Sequence, residues 1–202
     1  MMYISLTKQY LIGFLFLLFS QGAWSLADLT PTKLIKGSAD DVMENIQRNK
    51  KFYTDDPAEL ERYIAGNVAN IFDFKKMTQM AMGRFWKKAD SAQREEISML
   101  FRDMLVRTYS SALLNYSDTS IQYMPERVNK RKAVVPTTVA QSGGASIPIN
   151  YKLFENKQKQ WRVYDVAIDG ISLLTSYRDV FKKHIKRDGV DGLINILKNP
   201  KK

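Results

Sequence analysis

The 202-residue chain contains no cysteine, so it has no disulfide, no thiolate nucleophile and no cysteine-ligated metal. Histidine occurs once, at His184, and a zinc site therefore lacks its ordinary ligands. His184 stands among Lys182, Lys183 and Lys186, beside the apolar Phe181 and Ile185. That setting reads as a solvated helical face rather than a catalytic base. No glycine-rich phosphate loop, internal repeat, long linker or low-complexity segment is present. Acidic residues are also few, 21 against 31 bases, which leaves a formal charge of +10. The pairs Asp40-Asp41, Asp55-Asp56 and Glu95-Glu96 fall in helix amino-terminal or surface segments, where they favour the helix dipole rather than form catalytic dyads.

Long apolar runs are scarce too. Tyr10 to Phe19 is interrupted only by Gly13, about half the roughly 20 residues that a spanning helix needs. Lys8 precedes it, and small residues follow at Ala23, Ser25 and Ala27. The pattern is that of an export signal cleaved after Ser25 or Ala27, with a membrane anchor as the competing reading. Loss of residues 1–27 removes one base, Lys8, and lowers the charge from +10 to +9. The expectation is a periplasmic or secreted protein with one domain over residues 28–202, held together by its core alone.

What is present is periodic. A helix is expected from Pro31 to Lys51, broken at Asp55-Asp56-Pro57, and a second from Pro57 to about Phe72. A short third spans Phe74 to about Gly83. Asp90 and Gln93 form a capping box that opens a helix of about 25 residues, whose wide apolar stripe should lie against a sheet. Four strands follow, at 119–124, 133–140, 146–154 and 160–168, the last three as an antiparallel meander. Pro136 and Pro148 call for an edge or a bulge. At Asp169-Gly170 the period changes from two to that of a helix, so one element leaves the sheet and packs back over it. The fold class is α+β, a four-stranded antiparallel sheet covered by a layer of helices.

Asp73 and Asp165 lie in apolar surroundings. Two readings stand: a buried base, or Asp73 as a helix cap and Asp165 paired with an arginine or facing solvent. The basic residues come in small scattered groups without an RNA-binding aromatic signature, which fits anionic lipid surfaces or acidic partner proteins better than nucleic acid. Phe, Tyr and Trp make up 11% of the chain, with nine Met. Periodicity alone leaves an ordinary core and an apolar cavity equally open.

The segment YDVAIDGISLLTSYRDVF followed by DGVDGLINIL resembles the carboxy-terminal signature of the MlaC family, also called the toluene-tolerance Ttg2 family. Gly83, Trp86, Gln93-Arg94, Phe101 and Thr108-Tyr109 agree in order, and the resemblance runs from about Leu34 to Leu197. It implies an NTF2-like α+β fold with an apolar cavity between its layers for both acyl chains of a glycerophospholipid. It also implies a shuttle between an outer-membrane lipoprotein–porin complex and an inner-membrane assembly of an MCE-domain ring and an ABC transporter. No cofactor and no catalytic residue are expected, and the protein is expected to be monomeric. Ile171 is carried over to the pocket. Facing adds Phe101, Leu105, Tyr109, Ile149, Tyr151, Val163 and Leu174, and docking on partners is expected at Lys130, Arg131 and Lys132 and at Lys182, Lys183, Lys186 and Arg187.

Overall fold

The computed structural model describes residues 29–140 and 146–199; the expected leader and the connection at 141–145 lie outside the described residues. Helix α1, Pro31–Arg48, starts where the Thr30 side chain accepts from Lys33 N, with Pro31 in the first turn. It ends three residues earlier than expected, because Asn49 leaves helical geometry (φ −114°, ψ 22°) and a separate α2 runs Lys50–Asp55. Helix α3, Pro57–Val68, begins at Asp56, which accepts from Ala58 N. It stops short of Phe72 because that residue is drawn to the sheet. Val163 N donates to Ile71 O at 2.7 Å and Asp73 N to Val163 O at 2.9 Å, a parallel bridge between Phe72 and Val163.

Asp73 caps α4, Phe74–Met82, accepting from Lys76 N at 2.8 Å. A 3-10 turn at Gly83–Lys88 leads to α5, Ser91–Asn115, where both capping-box bonds form: Gln93 N to Asp90 Oδ1, and Asp90 N to Gln93 Oε1.

The sheet has more strands than the four expected. β1 (Ile121–Tyr123) and β2 (Arg127–Asn129) both pair with β3 (Lys132–Val139), and β3 pairs with β4 (Ile147–Glu155), β4 with β5 (Trp161–Ile168) and β5 with the two-residue β6 (Ile171–Ser172), all antiparallel. The extra two are too short to carry a periodic signal. Pro136 lies where β2 gives way to β1, its carbonyl accepting from Met124 N, and the Pro148 carbonyl accepts from Asp169 N where β5 ends. Each missing N–H thus falls at an interruption of the ladder.

Helix α6, Leu173–Lys198, leaves β6 directly and contains one non-helical residue, Gly189 (φ 72°, ψ −170°). Beyond it Leu193, Ile194 and Leu197 enter the core with Phe101, Phe181, Met77 and Met82. A second cluster joins α1 to the sheet, and a third joins α1, α2, α3 and Val106 of α5. The expected packing of α5 on the sheet is not observed: its stripe is taken up by α3, α4 and α6. The stripe is wide enough to serve several helices at once, and width does not specify the partner.

Candidate functional site

Strand register places one apolar face of the sheet in rows. Ala133, Leu153 and Val163 are cross-strand partners, as are Val135, Tyr151 and Val166. A third row runs Tyr123, Thr137, Ile149, Ile168, Ile171 across five strands. Directly opposed residues of antiparallel strands point to the same side, so these rows share one face. Strict alternation would put Val163 and Asp165 together, but a register shift between Lys152 and Leu153 separates them. The bulge sends Val163 to the apolar face and Asp165 to the other.

Leu34 and Ile35 of α1 cover this face, with Ile71, Phe72 and Leu173 packed beside them. Enclosure falls along its β5–β6 side, whereas Thr137 on β3 stays 1% exposed. Leu153, Val163 and Val135 are 0% exposed; Tyr151, Ile149, Ile168 and Tyr123 are half-buried; Ile171, at the Gly170 turn, is 65% exposed. An apolar surface that opens toward one end of the sheet can accept an elongated apolar ligand from that end. The Tyr123 hydroxyl on this face is buried without a hydrogen-bond partner among the described residues. Burial, then Asp40 and Tyr151, raises its pKa, and burial pushes that of Tyr151 up to about 12. Both hydroxyls stay neutral, and that of Tyr123 is available to donate to a ligand oxygen.

The eight expected pocket residues do not form one cluster. Ile149, Tyr151 and Val163 lie on the sheet face, with Ile171 at its exposed end. Phe101, Leu105 and Leu174 are buried in the helical core, and Tyr109 packs against it. Phe101 stacks edge-on against Tyr177 at 5.1 Å and Phe181 at 5.0 Å, a filled environment. Phe72 and Leu173 touch both clusters and connect them. Val135, Val166, Ile168 and Tyr123 share the face and were not anticipated. Pairing the expected third and fourth strands in register would have found Val166 and Ile168 opposite Tyr151 and Ile149.

Asp165 is 3% exposed and pairs with a lysine, not an arginine. It accepts from Lys152 Nζ at 2.9 Å, Ser172 Oγ at 2.8 Å and Leu174 N at 3.2 Å. It therefore anchors the start of α6 across the Gly170 turn. Among the described residues no group of acids and histidine could hold a metal ion. Of the expected docking residues, Lys130, Arg131 and Lys132 sit at the exposed β2–β3 turn, and Lys182, Lys183, Lys186 and Arg187 on the exposed side of α6.

A family model described as MlaC protein matches residues 36–199. The chain is 25% identical over 174 residues to the intermembrane phospholipid transport system binding protein MlaC of Haemophilus influenzae, covering 84% of this chain and 81% of that protein. It is 26% identical over 181 residues to toluene tolerance protein ttg2D of Pseudomonas putida, covering 89% and 84%. The solved structure of a phospholipid-binding protein from Ralstonia solanacearum, in complex with a phospholipid, superposes with a TM-score of 0.74 at 32% identity, over 81% of this chain and 92% of that one.

Proposed function

The chain belongs to the MlaC family, and on that footing we propose that it binds glycerophospholipid and carries it between membranes. The acyl chains rest on the apolar sheet face, entering at the Ile171 end, and the head group stays at that mouth. The observation that carries this reading is the graded exposure of the face, from enclosed Val163 to Ile171 at 65%. The phospholipid-bound relative of similar fold supports it. No helix among the described residues is long and apolar enough to cross a membrane, so the body of the protein is suited to carriage through an aqueous space, which we take to be the periplasm.

Shelter of roughly thirty methylenes at ~0.8 kcal/mol each amounts to on the order of 24 kcal/mol, before ordering costs. Release into water is correspondingly slow. Transfer then takes place on a partner offering an apolar path, for which the family resemblance supplies an outer-membrane lipoprotein–porin complex and an inner-membrane MCE-domain and ABC-transporter assembly. The basic side of α6 at Lys182, Lys183, Lys186 and Arg187 is the docking surface assigned to them. An enzyme using Asp73 or Asp165 is the poorer reading, because both carboxylates are committed to helix starts. Mass spectrometry of an organic extract of the natively purified protein tests the proposal: phospholipid near one molecule per chain is expected, and its absence would remove the carrier function.

A further inference from the structure

The end of the sheet opposite the Gly170 turn is built differently. There the β2–β3 turn meets the β4–β5 turn, since Lys132 is the partner of Phe154, and Glu155 of Trp161. Arg131 fastens one to the other: its Nη2 donates to Glu155 O at 2.7 Å, and Glu155 N donates to Arg131 O at 3.0 Å. Residues scattered along the chain are thereby gathered at one end: Arg127, Lys130, Arg131, Lys132, Lys157 and Lys159, all exposed. Across both turns, 127–132 and 155–161, Glu155 is the only acid. Val128 stands among these cations, 51% exposed.

The turns also carry strain. Lys130 (φ 53°) and Lys159 (φ 61°) both occupy the left-handed region, where glycine or asparagine rests at lower energy. Lysine at both positions places charge where backbone chemistry alone would choose otherwise. Clustered Lys and Arg around an apolar side chain match the head-group region of an anionic bilayer.

We infer that this two-turn basic end of the sheet is a docking surface for an anionic lipid bilayer. Because it lies at the other end of the strands from Ile171, docking there holds the chain on the membrane without presenting the mouth to it. Surface capture and lipid exchange are then separate events.

The test is co-sedimentation of the natively purified protein with phosphatidylcholine vesicles and with vesicles also containing phosphatidylglycerol, at low and high salt. Binding is expected only to the anionic vesicles at low salt, and Lys130→Gln/Lys132→Gln weakens it about fivefold per charge removed. Lys130→Arg/Lys132→Arg retains it, which separates charge from any loss of fold. Lys87→Gln/Lys88→Gln, both exposed at the end of the 3-10 turn, removes as much charge elsewhere and leaves it within twofold. Equal binding to neutral vesicles, no binding to either, or equal losses in the two glutamine variants would overturn the assignment. Co-purifying phospholipid is measured on the same samples, so failure of the surface is distinguishable from failure of the carrier function.

Discussion

Asp165 and Ser172 are joined across the Gly170 turn by a 2.8 Å hydrogen bond from the serine hydroxyl to the carboxylate. The same carboxylate accepts from Leu174 N, so one buried side chain holds the last long strand and the start of the last helix in fixed relation. Asp165→Ala leaves the buried Leu174 N–H without its acceptor and Lys152 without its counter-charge. A loss of about 2–4 kcal/mol is expected, read from the urea midpoint, with Asp165→Asn losing less because one acceptor oxygen survives.

Ile171→Glu is expected to abolish lipid retention while the fold stands. The side chain is 65% exposed, so the charge is solvated and stability stays within about 0.5 kcal/mol of the parent. Acyl chains entering over it would have to pass a carboxylate. Thermal melting and lipid quantification on one preparation check both halves, and full occupancy in the folded variant removes Ile171 from the site.

Local signals in the sequence were reliable where the physics is local. Pro31, Pro57, Asp73 and the Asp90–Gln93 box all start helices as read, since a cap is decided within one turn. Errors arose where a distant partner decides. Ile71–Phe72–Asp73 looks like the end of a helix until Val163 supplies its hydrogen bonds. The bulge beside Leu153 reverses the facing of Val163 relative to Asp165, and no alternation rule registers an extra residue. Of the residues expected at the pocket, Ile149, Tyr151, Val163 and Ile171 lie on the sheet face. Phe101 and Leu105 belong to the helical core because α4 and α6, rather than the sheet, meet that side of α5.

Alkaline stability should bend in a defined window. Below about pH 10, the ordinary tyrosine value, folded and unfolded chains both hold the Tyr151 proton and its contribution is complete. Above it the unfolded chain releases a proton that the folded chain keeps up to about 12, so stability falls as pH rises between the two. Tyr123 acts in the same direction. Urea midpoints measured across that range should decline more gently in Tyr151→Phe than in the parent; identical slopes would show that the hydroxyl is not enclosed.

Gly189 and Gly37 both lie within helical segments and should respond oppositely to alanine. Gly189 holds φ 72°, ψ −170°, a region nearly closed to other residues, and Gly189→Ala is expected to cost about 1–3 kcal/mol. Gly37 in α1 has ordinary φ, and an added Cβ would meet nothing within 4 Å. Gly37→Ala should therefore stabilise by about 0.5–1 kcal/mol. Denaturation midpoints of the two variants check the pair.

The divided partnership of β3, with β2 along its first residues and β1 along its last, bears on how copies of the protein behave when crowded. Pro125 and Pro136 fall at the division, and the far side of β5 is occupied by Phe72 at one point and β6 at another. Among the described residues, a strand from a second copy finds no unbroken row of donors and acceptors on either flank. Pairing between copies through the backbone is thereby disfavoured.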